Sequence, residues 1–519
     1  MPEKNMDTAH YLEVAQSIRP RLVKKTFRPV GRIKPRPDAA AWQGWSAQVV
    51  GDAADPLDKP LESGSSFVLD FGRHLVGHLS FKVAPVGPIM GAPVRLKLIF
   101  AEMLSELAEP LDPSPSWLCR SWLQDEIVNV DWLPAEVKLP RRYAFRYVKV
   151  AVAACPESIK FTDISCAAET SASFKPPSFK PVPAWRRDGQ LRDIFDVAVR
   201  TLRNCMQTVF EDGPKRDRRL WLGDLRIEAL CNAATFRNFD LVKRCLYLFA
   251  ALPFEDGMVS ACVYEYPAPI CGRNLLLDYA ALFGPTLLDY ARHCDDWATA
   301  ADLWPVVVRQ AELLGAFVDA DGLWDIDKGG RIFADWKEGL HKQATAQAIM
   351  IYSCKAALEL ADRLDRRPDI QQLSALVERM TRAARERMFD AASGLFVSGR
   401  DSQVSYSSNA WMVIAGVVQG AQAGDVLTRL MRRTDAVKPA TPYLHHHFVE
   451  ALFEAGLADQ AVEQIRRYWG RMVELGADTY WEIFDPDNHR LSAYKDHHLN
   501  SYCHAWSCGP AYFLPKHLA

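Results

Sequence analysis

The residues from Glu211 to Asp224 read EDGPKRDRRLWLGD: four acids and four bases within fourteen positions, with two glycines and one tryptophan among them. Paired carboxyl groups can do acid–base work, one giving a proton and the other taking one. Asp212, Asp217 and Asp224 supply acceptors here, and Arg216, Arg218 and Arg219 can orient carboxylates or hold them ionised. Trp221 offers an apolar ring face on which the C–H side of a sugar can rest. The same stretch also fits a capped inter-helix loop laced with ion pairs.

A second cluster lies near the far end of the chain. GADTYWEIFDP (476–486) sets Glu482 directly behind Tyr480 and Trp481 and just ahead of Phe484. A carboxylate bracketed by rings is either a packed structural acceptor or a group kept partly dry for proton transfer. HHLNSYCHAWSCGPAYFL (497–514) then sets His504 among aromatics. The two acid clusters can act together only if the fold brings them to one opening.

Two kinds of text must do that positioning. Up to about residue 180 the pattern is β. SSFVLDFGRHLVGHLSFKV (65–83) and APVRLKLIF (92–100) alternate apolar and polar residues, and YAFRYVKVAVAA (143–154) is rich in aromatic and β-branched types. Short strands separated by turn signals predict an antiparallel β-sandwich over residues 1–180, preceded by an N-terminal extension. SFKPPSFKPVPAW (173–185) holds four prolines and reads as a stiff linker. From about 188 the period becomes helical: Ala458, Ala461, Val462, Ile465, Tyr468, Trp469 and Met472 fall on one face. About twelve such segments follow one another, the last predicted over 498–514. They can close as six hairpins into a toroid over 181–519; an open superhelical array competes, but no fixed repeat period supports it.

Composition narrows the partners. The chain has 519 residues, 49% hydrophobic and 24% charged, which is the make-up of a folded protein with more than one core. A formal net charge of −2 gives no electrostatic case for nucleic acid or an anionic membrane. No apolar run reaches the length of a membrane span, and the first twenty residues lack the apolar core of an export signal, so a cytoplasmic location is expected. The 12 cysteines are scattered, mostly in apolar helical text, as reduced buried thiols would be. No Cys/His spacing suggests a metal, and no cofactor is expected. His445, His446 and His447 point in different directions on a helix and are expected at the surface or rim, with one able to line the cleft.

Together the motifs resemble those of bacterial α-L-rhamnosidases, glycoside hydrolase family 78. DGPKRDRRLWLGD is similar to the family's Asp-Cys-Pro-x-Arg-Glu-x-x-Gly-Trp-x-Gly-Asp, matching at Asp212, Pro214, Arg216, Trp221, Gly223 and Asp224. GADTYWE resembles Gly-Ala-x-Thr-x-Trp-Glu, SYCHAWSCGP the histidine-bearing segment after it, and FVLDFGRHLVGHLSFKV the β-domain before the barrel. The resemblance implies an all-α (α/α)6 barrel and hydrolysis with inversion of a carbohydrate substrate, a rhamnoside or related deoxy-sugar glycoside. It implies Asp217 as general acid and Glu482 as general base. Asp212, Arg216 and Asp224 then surround the sugar hydroxyls, with Trp221 and Trp481 as aromatic contacts and His504 as a sugar-contacting histidine. FADWKEG (333–339) resembles the family's Gly-Asp-Trp segment and adds Asp335 and Trp336. LLLDYA (275–280) adds Asp278, although Leu276 replaces the family's tryptophan, and Asp217 stands where the family carries glutamate. An inverting pair is expected about 6.5–9.5 Å apart. Two other classes remain: a sugar-binding toroid without turnover, and a lyase using Tyr502 or His504 as base.

Overall fold

The computed structural model describes residues 6–53, 59–87, 93–109, 116 and 118–518. Residues 1–5 of the N-terminal extension and residue 92 of the expected strand 92–100 lie outside these.

Among the described residues the β-domain holds nine antiparallel strands: β1 (Val23–Phe27), β2 (Gly31–Pro37), β3 (Trp45–Gly51), β4 (Ser66–Pro85), β5 (Val94–Ala101), β6 (Asp125–Val130), β7 (Ala135–Lys138), β8 (Tyr143–Ala154) and β9 (Ile159–Thr170). They form one continuous hydrogen-bonded sheet in the order β1-β9-β4-β8-β5-β6, with β2 and β7 also paired to β4, and β3 to β2. Continuity comes from β4, which is 20 residues long. Its register with β8 breaks between Asp70 and Leu75, around Gly72 at φ 70°. Before the break β4 pairs with β2, beyond it with β7 and β9. The bulge lets one strand serve both halves and wrap the sheet around Phe67, Leu69, Leu79, Phe81, Phe145 and Phe161.

The first barrel helix, Gly189–Cys205, is capped by Asp188, whose side chain accepts from Leu191 N at 3.0 Å. Helices then follow to the last one, Pro510–His517, which packs on Gly189–Cys205 and on the second helix, Leu222–Ala234. The run therefore closes on itself, as a toroid requires and an open array does not.

Two expectations are corrected. Residues 498–509 are not helical apart from single turns at His497–Leu499 and Ala505–Ser507. Their backbone bonds elsewhere: Glu482 N donates to Ser501 O at 2.9 Å, His504 N to Tyr480 O at 2.9 Å and Ala505 N to Asp212 O at 3.0 Å. His446 and His447 are wholly buried rather than at the rim. Their helix, Pro442–Glu454, runs through the core, where His447 packs against Trp411 and Tyr443 and His446 against Phe513.

Candidate active site

The loop between the first two barrel helices is held against the late segments by backbone contact. Gly213 makes this possible: a Cβ there would lie 2.4 Å from Ser501 Oγ. Asp212 turns the loop, bonding its N–H to Arg219 O at 3.0 Å and accepting from Arg219 N through its carboxylate at 3.1 Å. Asp217 and Arg218 then take left-handed φ values of 60° and 51°. Two such residues in succession cost strain, and aspartate tolerates the conformation better than most. Arg218 steadies the turn by donating to Pro214 O and Arg142 O, each at 2.9 Å.

Arg216 joins the two acid clusters. Its guanidinium is buried, with Nη1 3.8 Å from Asp217 Oδ1 and Nη2 bonded to Glu482 Oε2. The two carboxyl groups therefore stand no further apart than two ion-pair contacts and the width of one guanidinium, a span compatible with the about 6.5–9.5 Å of an inverting pair. Glu482 Oε2 also accepts from Ser501 N at 3.0 Å, and Oε1 from the Tyr494 hydroxyl. Burial would push the Glu482 carboxyl up, but Arg216, His504 and Tyr494 outweigh it and hold the group below its ordinary value. Asp217 is part-exposed and also lies 3.7 Å from Arg219.

Behind the pair sits a crowded acidic floor. Asp212 is pushed well up, by burial first and then by Asp217 and Asp224. Asp224 is raised by burial, with His504 Nε2 3.4 Å from Oδ1 and the Tyr279 hydroxyl 3.4 Å from Oδ2 acting against that rise. Both His504 ring nitrogens, Asp224 Oδ1 and the Tyr443 hydroxyl are buried without a hydrogen-bond partner among the described residues. Buried polar atoms left this way are matched to hydroxyl-bearing ligands or water.

Aromatic rings complete the circuit. Trp221 meets Tyr279 edge-on at 6.3 Å, Tyr279 meets Phe333 at 5.7 Å, and Phe333 stacks on Trp506 at 5.7 Å. Phe333 also touches Trp336 at 5.3 Å, and Trp336 reaches Tyr494 at 6.2 Å. Asp278 and Asp335 act from behind. Asp278 accepts from Phe333 N and Ala334 N at 3.0 and 2.9 Å. Asp335 accepts from Thr441 Oγ1, Ala440 N and Trp336 N at 2.6, 2.7 and 2.9 Å. Their carboxylates are occupied in presenting Phe333 and Trp336, and burial raises Asp335 to about 6.

Asp212, Arg216, Asp217, Trp221, Asp224, Trp336, Glu482 and His504 are thus connected in one neighbourhood. Trp481 is not part of it: its ring is 1% exposed and stacks at 4.5 Å on Trp42, outside the barrel. Tyr502 is turned away as well, its hydroxyl donating to His497 O at 2.9 Å. Tyr279, Phe333, Tyr443, Tyr494 and Trp506 are members the sequence did not single out. Tyr279 lies inside LLLDYA, Phe333 inside FADWKEG and Trp506 inside SYCHAWSCGP, whereas Tyr443 and Tyr494 lie in none of the motifs that carry the resemblance.

Residues 187–518 match the bacterial alpha-L-rhamnosidase 6 hairpin glycosidase domain, and residues 29–168 the glycosyl hydrolase family 78 alpha-rhamnosidase N-terminal domain. The chain belongs to family 78. A rhamnosidase from Klebsiella oxytoca with rhamnose bound is 44% identical over 98% of both chains, with a TM-score of 0.94. The family 78 rhamnosidase of Bacillus sp. GL1 is 20% identical with a TM-score of 0.74 and shares the fold; this chain covers 49% of its length. No curated protein matches. As a family 78 member the chain is a glycoside hydrolase, which disfavours both the lyase and the binding-only alternatives. No helix among the described residues is long and apolar enough to cross a membrane.

Proposed function

We propose that this family 78 hydrolase releases terminal α-L-rhamnose, or a close deoxy-sugar, by a single displacement with inversion. Glu482 takes a proton from water as the water oxygen bonds to the anomeric carbon. The glycosidic C–O bond breaks with its electron pair on the departing oxygen, which Asp217 protonates. The observation that carries this reading is the shared Arg216 guanidinium between the two carboxylates. Asp224, His504 and the buried Tyr443 hydroxyl supply unfilled hydrogen-bonding positions for sugar hydroxyls, and Trp221 and Trp336 supply walls. Rhamnose in the Klebsiella oxytoca relative supports the sugar class.

Aspartate at 217 reaches one methylene less far than the family's glutamate, so the left-handed turn on which it sits decides where its proton is delivered. Asp217→Asn should therefore lose activity steeply on rhamnosides of poor leaving groups while activated aryl rhamnosides are much less affected. NMR of the first sugar released from an aryl α-L-rhamnoside should show the β-anomer. Release of the α-anomer, or an Asp217→Asn loss independent of leaving group, would overturn the assignment.

A further inference from the structure

Three side chains able to ligate a metal converge from opposite sides of the seam between β-domain and barrel. Glu109 ends the short helical turn Ser105–Ala108 of the β-domain, and His497 and His498 lie in the barrel segment between Glu482 and His504. Glu109 Oε2 is 3.4 Å from His497 Nε2 and 3.6 Å from His498 Nε2. All three ligand atoms lie within 4.8 Å of one another. Tetrahedral zinc with bonds of about 2.0–2.1 Å puts neighbouring ligand atoms about 3.3–3.4 Å apart, so two edges of such a site already have nearly the right length.

The protonation pattern also fits. His498 Nδ1 lies 2.8 Å from Asp496 Oδ1, so that nitrogen carries the proton and Nε2 presents a lone pair. His498 is 6% exposed, and its Nε2 has no hydrogen-bond partner among the described residues. A carboxylate behind an imidazole is the arrangement that orients metal-binding histidines. Glu109 Oε1 is held by Trp45 Nε1 at 2.8 Å, which leaves Oε2 turned toward the histidines.

A positive group already stands there. Arg490 Nη1 lies 2.9 Å from Glu109 Oε2 and 3.4 Å from His497 Nε2, with Nη2 2.5 Å from Glu109 Oε1. The Arg490 side chain is 53% exposed and can swing into solvent. The other candidate cluster, His446, His447 and Glu450, differs on this point. Both Glu450 oxygens are held by Arg226 at 3.0 and 2.6 Å, and that arginine is 3% exposed with nowhere to go.

We propose that Glu109, His497 and His498 bind a zinc-like divalent transition cation in place of the Arg490 guanidinium, with solvent at the fourth position. The ion pins the barrel segment that carries Tyr494 to the β-domain. The sequence does not suggest it because the ligands are nearly 400 positions apart in the chain and meet only across the domain seam.

The test uses the full chain, stripped with a chelator and titrated with zinc and with cobalt. Expected are one ion per chain with a raised Tm, and a cobalt spectrum without thiolate charge-transfer bands, which separates this site from the cysteines. His498→Ala should weaken binding by about tenfold or more. Arg490→Ala, which removes the competing cation, should tighten it; this variant keeps the test sharp if His498→Ala folds poorly. Glu450→Gln should leave affinity unchanged. No stoichiometric ion, thiolate bands, unchanged affinity in both His498→Ala and Arg490→Ala, or loss in Glu450→Gln would each overturn the proposal.

Discussion

In the proposed mechanism Glu482 must accept a proton, yet three donors already hold its carboxylate: Arg216, the Tyr494 hydroxyl and Ser501 N. Because these outweigh burial, the folded group titrates below its ordinary 4.5. The carboxylate proposed as base is therefore ionised at neutral pH and is lost only as pH falls through that lowered value. Tyr494→Phe removes a donor that favours the charged form, so the pKa rises and the acidic limb of the kcat/KM profile moves to higher pH. A limb that stays in place would show that Tyr494 does not tune this carboxylate. Glu482→Gln should reduce kcat by about 10²–10⁴-fold while calorimetry finds rhamnose binding largely intact; retained turnover would remove Glu482 from the base role.

Elements position these groups through close approaches that only some residues permit. Gly223 opens the helix Leu222–Ala234, and a Cβ there would meet the Tyr279 ring at 2.3 Å. Tyr279 touches Trp221 and donates to Asp224, so the strain would reach the sugar floor. Gly223→Ala should cost about 1–3 kcal/mol, read as a lowered Tm, and raise KM more than an exposed Gly189→Ala control shifts it. A wild-type Tm and KM would mean that Tyr279 yields without consequence. The glycine was legible in sequence because it belongs to a motif with Trp221 and Asp224. The same holds for Arg216 and Glu482, which stand inside DGPKRDRRLWLGD and GADTYWE. Tyr443 was not legible, since it is an ordinary aromatic in helical text, and Phe333, although it opens FADWKEG, becomes a wall only when Asp278 and Asp335 fix the loop 333–336. The extended course of 498–509 was missed for a related reason. Its apolar spacing suits a helix, but its backbone is bonded to Glu482, Tyr480 and Asp212, which local periodicity cannot register.

At the scale of the whole molecule, the β-domain helps to hold the loop that carries Asp217. Lys215, two residues before Asp217, is buried with Nζ 2.5 Å from Glu106 and 3.3 Å from Glu102, both contributed by the β-domain. Glu102 also pairs with His74 at 2.8 Å, and Tyr502 N donates to it at 2.7 Å. Trp42 on Trp481, and Gln43 Nε2 donating to the Tyr502 hydroxyl at 2.5 Å, extend the same seam. Burial pushes Glu102 up, but Lys215 and His74 more than reverse this and leave it below its ordinary value. A depressed carboxylate contributes stability above its unfolded pKa, and that contribution is lost as pH falls through the folded one. The intact chain should accordingly unfold in one calorimetric transition near neutral pH, because neither domain can leave without stranding buried charge. Glu106→Ala removes one partner of Lys215 and should cost about 3–5 kcal/mol, and adding Lys215→Met should then cost less than it does in the wild type, since only the contact with Glu102, which keeps His74, is left to break. Two separate transitions in the wild type, or additive losses in the double variant, would mean that the domains are stable apart and that the seam does not hold the Asp217 loop in place.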